Sequence, residues 1–121
     1  MTGTSTAWDA VARRIEDARD MARTFAQEAR AHFGVRLRDI RLFGSAARGD
    51  WREDSDVDVL ILLDEVLRED REWIADRATR LGILGRGVLL STVTLPFLRF
   101  EELRARERLF AREVDTTGLA L

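Results

Sequence analysis

The chain has 121 residues, a length typical of one globular domain with one modest core. Its 20 basic and 22 acidic residues give a net charge of -2, which argues against a protein that coats nucleic acid. The absence of cysteine excludes disulfides, thiolate metal sites and cysteine nucleophiles. A Ser/His/Asp triad would depend on His32 alone.

Targeting signals and membrane spans are not evident in the sequence. No stretch approaches the roughly 20 apolar residues that cross a bilayer. Residues 1–7 lack the basic start and apolar run of a secretion signal. We therefore expect a cytoplasmic protein without membrane contact.

Hydrophobic patterning in the first half predicts a helix and two strands. Apolar residues at three- and four-residue spacing from Trp8 to Ala29 predict an amphipathic helix that ends at Gly34. Rough alternation over residues 35–43 predicts a half-buried strand, and the apolar run within residues 56–63 predicts a central one. The polar segment between them predicts a functional loop with a helical turn at residues 45–48.

The second half continues the alternation of helices and strands. It predicts a helix within residues 64–84 that Gly82 or Gly85 ends, a strand over 87–95, a helix over 97–114 and a short edge strand within 117–121. This order predicts one α/β domain over residues 1–121, with a small mixed β-sheet flanked by helices.

Two short segments carry residues suited to phosphate and metal chemistry. Asp56 and Asp58 lie two apart on a predicted strand, so their carboxylates share a face and can hold one hard cation. Such a pair alone is more often structural. Upstream, however, Gly44 and Ser45 follow a strand and open a helical turn whose free N–H groups suit a phosphate. Arg48 adds a planar fork of donors, so the sequence predicts a phosphate cradle beside a metal site.

These two segments also carry a family resemblance. Residues 44–49 read G-S-A-A-R-G and residues 55–60 read S-D-V-D-V-L, which resembles the signature of minimal nucleotidyltransferases of the DNA polymerase beta superfamily. The resemblance implies a DNA polymerase beta-like fold that binds Mg²⁺ and a nucleoside triphosphate, ATP by expectation. It also implies a role for each site residue. Gly44 and Ser45 would hold the β and γ phosphates, and Asp56 and Asp58 would bind Mg²⁺. Arg48 would stabilise the charge on the departing pyrophosphate.

The chain departs from the family at one point. Complete members carry a third carboxylate on a following strand, which helps to hold the metal and draws the proton from the attacking hydroxyl. Residues 81–100 contain no Asp or Glu, so Ser91, Thr92 or Thr94 stands in that place. A substitute base remains open on a partner protein or among four residues of this chain: Asp64, Glu65, Glu101 and Glu102.

The chain length bears on which molecule receives the transferred nucleotide. Larger nucleotidyltransferases usually carry an additional domain that binds this acceptor, and 121 residues leave no room for one. The resemblance implies a partner chain, since minimal members commonly accompany a HEPN-type ribonuclease toxin and some transfer AMP to it. Our leading hypothesis is therefore an antitoxin that transfers AMP from ATP to a hydroxyl of a HEPN-type toxin. The alternative is an inactive or weak nucleotide-binding antitoxin that acts by contact. A homodimer stays open, and we expect no direct binding of nucleic acid.

Several other residues admit a functional and a structural interpretation. We expect Trp51 to pack against the first helix rather than to stack on a base. His32 and Arg52 are expected to be solvated. The charged stretch over residues 101–113 is typical of an exposed, salt-bridged helix face.

Overall fold

A computed structural model describes residues 7–52, 54–106 and 109–121, with side chains from Arg14 onward. The helices are α1 (Ala7–Phe33), α2 (Ser45–Arg48), α3 (Arg68–Leu81), α4 (Ile83–Arg86), α5 (Phe97–Ala105) and α6 (Leu109–Thr117). The strands are β1 (Leu37–Phe43), β2 (Val57–Leu63), β3 (Leu90–Pro96) and β4 (Leu119–Ala120). Within these ranges, no helix combines the length and apolarity needed to cross a membrane.

The four strands form one mixed sheet in the order β3-β2-β1-β4. Strand β1 runs antiparallel to β2 and β4, whereas β2 and β3 are parallel and are joined through α3 and α4. Six of the seven residues of β2 are buried, as expected for a central strand covered on both faces. The predicted mixed α/β fold is confirmed.

Helices cover both faces of the sheet and form two hydrophobic clusters. Alternate residues of β2, Val57 and Val59 among them, pack in the cluster that contains α1 and α3. The other cluster joins Leu60 and Leu62 to α5 and α6. Because side chains alternate along a strand, Asp58 faces the α5 and α6 side. The faces of the sheet thus determine which helices can reach the predicted metal ligands.

The boundaries of two predicted elements in the middle of the chain were wrong. The strand expected from residue 35 begins at Leu37, because Gly34 turns at φ +58° into a short 3-10 helix (Gly34–Arg36). The helix expected from residue 64 begins at Arg68, and it ends before Gly82, one of the two glycines expected to end it. A Cβ at Gly82 would lie 2.6 Å from the Val88 carbonyl oxygen. The segment before β3 therefore packs against Gly82 so closely that a residue with a side chain would not fit there.

Local breaks also change the last third of the chain. The third strand begins at Leu90 rather than residue 87, because Gly87 turns at φ +69° after α4. The helix expected over residues 97–114 is observed as α5 and α6, while residues 107–108 lie outside the described ranges. The predicted terminal edge strand is confirmed, since β4 pairs with Arg41 and Leu42.

Candidate active site

Gly44 joins the two predicted halves of the site. It follows β1 directly and adopts φ 71°, ψ -156°, a conformation that side chains disfavour. A Cβ at this position would lie 2.3 Å from Oδ2 of Asp58. The backbone of the turn therefore passes directly against the Asp58 carboxylate, and the absence of a side chain permits this approach.

The turn after Gly44 is fixed by helix α1. The N–H groups of Ala47 and Arg48 both donate to the Gly44 carbonyl oxygen at 3.1 Å, which defines the short helix α2. Arg19 of α1 donates from Nε to the Ala46 carbonyl oxygen at 2.9 Å. Ala46 and Ala47 are buried. Packing and this hydrogen bond hold α2, and Ser45 at its start, in one orientation.

The two aspartates form an acidic pair at the start of β2. Asp56 is exposed just before the strand, and Asp58 is half-buried in it. Burial raises the pKa of Asp58, the nearby charges of Asp56 and Glu113 raise it further, and Arg48 lowers it. A cation bound at the pair would relieve both the desolvation and the repulsion.

The donor set is compatible with Mg²⁺ shared between protein and phosphate. In the described part of the chain, no three His, Cys, Asp or Glu side chains form a group able to hold a metal. Mg²⁺ commonly takes one or two carboxylates and completes its shell with water and phosphate oxygens. Asp56 and Asp58 match that pattern.

Arg48 presents its guanidinium between acidic side chains at this edge. Its Nη1 lies 2.6 Å from Oε1 of Glu113 on α6, and its Nε lies 3.5 Å from Oδ1 of Asp50. Glu113 stands 65 residues further along the chain and was not among the predicted site residues. Nothing in the sequence singled out Glu113, because it belongs to a charged helical stretch of a kind that normally faces solvent.

The strand beside β2 lacks a carboxylate at the matching position. Asp58 pairs in register with Ser91 of β3, one of the three hydroxyl residues expected on this strand. The four acidic substitutes lie in other surroundings. Asp64 and Glu65 follow the far end of β2, about 20 Å along the strand from Asp58 at ~3.3 Å per residue. Glu101 pairs with Arg104, and Glu102 pairs with Arg99.

Trp51 and His32 both pack against other parts of the protein. Trp51 is buried in the cluster with α1, as predicted, and donates from Nε1 to the Ser55 carbonyl oxygen at 3.1 Å. It lines a cavity of about 320 Å³ with Ala18 and Met21 of α1, and none of the predicted site residues lines that cavity. His32 is exposed and stacks on Trp73, with the two ring centroids 4.2 Å apart.

The profile of the nucleotidyltransferase domain family matches residues 22–115, which contain both halves of the motif. The chain belongs to this family. The match covers most of the nucleotidyltransferase domain described above, from α1 to the part of α6 that carries Glu113.

Two curated relatives of this nucleotidyltransferase domain are archaeal. A protein of Methanocaldococcus jannaschii, named "putative protein adenylyltransferase", is 36% identical over 69 residues, 57% of this chain and 64% of that protein. The protein adenylyltransferase MntA of Thermococcus cleftensis is 40% identical over 52 residues, 43% of this chain and 50% of that protein. The matches therefore span less than two thirds of either relative.

The fold also matches a solved structure, a toxin-antitoxin with AMP-PNP. The TM-score is 0.54 and the identity 22%, over 80% of this chain and 69% of that chain. At this identity the likeness shows a shared fold for the nucleotidyltransferase domain.

Proposed function

We propose that this chain is a Mg²⁺-dependent nucleotidyltransferase that transfers AMP from ATP to a hydroxyl of a HEPN-type toxin, and so acts as its antitoxin. The carrying observation is the approach of Gly44 to the Asp58 carboxylate, which joins the phosphate-binding turn to the acidic pair. Family membership supports the reaction class. The adenylyltransferase relatives and the toxin-antitoxin neighbour support the acceptor class.

Each site residue has a chemical role in this proposal. Gly44 and Ser45 hold the β and γ phosphates, and Asp56 and Asp58 hold Mg²⁺. When bound, the ion neutralises charge between the carboxylates and the phosphate oxygens. Arg48 stabilises the charge that develops on pyrophosphate.

The transfer itself is an in-line displacement. The acceptor oxygen bonds to the α-phosphorus, the bond from that phosphorus to pyrophosphate breaks, and the hydroxyl proton leaves to a base. One domain over residues 1–121 carries this chemistry in our proposal, with the acceptor on a separate chain.

A second candidate function rests on the residue beside Asp58. Ser91 is the register partner of Asp58 on the neighbouring strand, and a serine hydroxyl is a poor base near neutral pH. This favours a nucleotide-binding antitoxin that neutralises its partner by contact, with weak transfer or none.

Intact-mass spectrometry separates the two candidates. A HEPN-type toxin is incubated with this chain, ATP and Mg²⁺, and its mass is compared with that after incubation with the Asp56→Asn/Asp58→Asn variant. The transferase predicts a gain of one or more adenylyl groups with the native chain alone, because the variant loses the charge that holds the metal. A stable complex without a mass gain would establish the contact function instead.

Asp64→Asn is the matched control for that experiment. Asp64 is an exposed aspartate after the far end of β2 and pairs with Arg38 at 2.8 Å. We expect full transfer by this variant. A loss equal to that of the Asp56/Asp58 variant would assign the effect to general destabilisation.

A further inference from the structure

Glu113 is brought to the site by the packing of α6. Val114 and Ala111 of α6 are buried against Leu60 and Leu62 of β2 in the second hydrophobic cluster. On the same helix, Phe110 contacts Phe43 with ring centroids 5.2 Å apart.

The packing of α6 places Glu113 beside the acidic pair. Phe43 is the register partner of Asp58, so α6 lies over the end of the sheet where Asp58 stands. The negative charge of Glu113 accordingly contributes to the raised pKa of Asp58.

Glu113 is available to an incoming acceptor. Its side chain is 38% exposed and forms an ion pair with Arg48 at 2.6 Å. In the proposed function Asp56 and Asp58 hold the cation, whereas the Glu113 carboxylate is directed at Arg48.

The transfer reaction needs a proton acceptor that these aspartates do not supply. Their oxygens are committed to the cation in the proposed function, and Ser91 is too weak a base near neutral pH. A carboxylate within reach of the acceptor hydroxyl meets this need. Glu113 is the acidic side chain that helix α6 brings next to Arg48, at the end of the sheet where Asp58 lies.

We infer that Glu113 pairs with Arg48 before nucleotide binds, releases it to the triphosphate, and then accepts the proton of the attacking hydroxyl. This inference rests on the proposed function. The proton passes from the acceptor oxygen to a carboxylate oxygen of Glu113 as that acceptor oxygen bonds to the α-phosphorus. The bond between the α-phosphorus and pyrophosphate breaks, and pyrophosphate leaves with the electron pair.

The exchange of partners frees Glu113 for its role. Before nucleotide binds, its carboxylate is held in the ion pair with Arg48 at 2.6 Å. After Arg48 turns to the phosphates, the half-exposed carboxylate is free to accept a hydrogen bond from the acceptor hydroxyl.

Calorimetric titration tests the exchange without requiring any transfer. The titrant is a non-hydrolysable ATP analogue with Mg²⁺, and the proteins are the native chain, Glu113→Gln, Arg48→Ala and the double variant. We expect Glu113→Gln to bind about two- to fivefold more tightly, because a half-exposed ion pair of modest strength no longer competes for Arg48. That gain should vanish in the Arg48→Ala background. A gain that persists there, or no gain, overturns the exchange.

Single-turnover transfer to the HEPN-type toxin tests the proton role. With saturating nucleotide, Glu113→Gln should transfer AMP roughly 10²-fold more slowly than the native chain or worse. Glu113→Asp, which keeps a shorter carboxylate, should recover part of the rate. Glu72→Gln is the matched control, since Glu72 is an exposed glutamate on helix α3 that pairs with Arg68 at 3.1 Å. Transfer by Glu113→Gln at the native rate overturns the proton role.

The two arms distinguish the failure of this inference from that of the proposed function. A native chain that binds no nucleotide, or binds without transferring, refutes the transferase itself, and the proton role falls with it. A native chain that transfers while Glu113→Gln matches it in rate and affinity leaves the transferase intact and refutes the role of Glu113. Thermal unfolding of each variant shows that the folded protein is compared throughout.

Discussion

Gly44 combines an unusual backbone conformation with a close approach to the Asp58 carboxylate. The turn after β1 adopts a positive φ at Gly44, and its backbone passes against the Asp58 carboxylate. A side chain at this position would be strained by the positive φ and would collide with Asp58. The contact explains why a glycine lies at this point of the motif, a role that the G-S pair alone does not reveal.

Replacing Gly44 by alanine should therefore disrupt the site. The new Cβ would lie 2.3 Å from Oδ2 of Asp58, in a backbone conformation with φ +71°. We expect a loss of about 1–3 kcal/mol in the free energy of unfolding from backbone strain, and loss of Mg²⁺-dependent nucleotide binding as Asp58 is displaced. Urea denaturation and calorimetric titration measure the two effects.

Gly49→Ala separates the steric effect from the backbone effect. Gly49 also has a positive φ, +96°, but a Cβ there meets nothing within 4 Å. This variant should lose comparable stability and keep its affinity for nucleotide. Equal loss of affinity in both variants would contradict the role assigned to the Asp58 contact.

At the scale of elements, Asp70 connects α3 to the segment that precedes β1. Its carboxylate accepts a hydrogen bond from the Leu67 N–H at 2.8 Å at the start of α3, and it receives two from the Arg36 guanidinium, at 2.5 and 3.1 Å. Asp70 is 3% exposed. The hydrogen bonds from Arg36, followed by the one from Leu67, hold the pKa of Asp70 below its usual value against the opposing effect of burial.

Asp70→Asn should destabilise the protein by about 1–3 kcal/mol at pH 7, because a charged cap and a paired guanidinium are lost. A lowered pKa in the folded state means that this contribution is present above the unfolded pKa of about 3.9 and disappears as pH falls through the folded value. Denaturation at pH 7 and at pH 3 should show the gap between native and variant closing. Asp76→Asn, an exposed helical pair with Arg80, should show a small gap at both pH values.

At the scale of the whole molecule, the site is assembled from both sides of the sheet. Arg19 of α1 holds the turn from one side, and Glu113 of α6 reaches Arg48 from the other. Ligand binding at such a place should stabilise the entire fold, since the unfolded chain has no assembled site.

Nucleotide with Mg²⁺ should therefore raise the stability of the native chain. At a free nucleotide concentration of about 100 Kd the gain is about 2.7 kcal/mol, and scanning calorimetry measures it as an increase in Tm. Chelation of Mg²⁺, or the Asp56→Asn/Asp58→Asn change, should remove most of that increase. An equal increase in the double variant would place the nucleotide elsewhere on the protein.

The sequence alone determined the features that depend on near neighbours along the chain. Period and composition predicted the central strand β2 and the amphipathic α1, because burial imposes its pattern directly on such elements. The motif around Gly44 and Asp58 predicted one site from two segments close in sequence. The ends of α1 before Gly34 and of α3 before Gly82 were anticipated, whereas the starts of β1, α3 and β3 were missed, because a glycine or a polar segment does not show how many residues the connection takes.

The tertiary structure decided which distant side chains meet. The pairing of Asp58 with Ser91 follows from the register of β3, and the contact of Arg48 with Glu113 follows from the seating of α6 on Phe43. A charged helix face has the same sequence pattern whether it meets solvent or an active site. Only the packing of that helix on the sheet selects Glu113 from its acidic neighbours, and so the pairing of Arg48 with Glu113 was not predictable from the sequence.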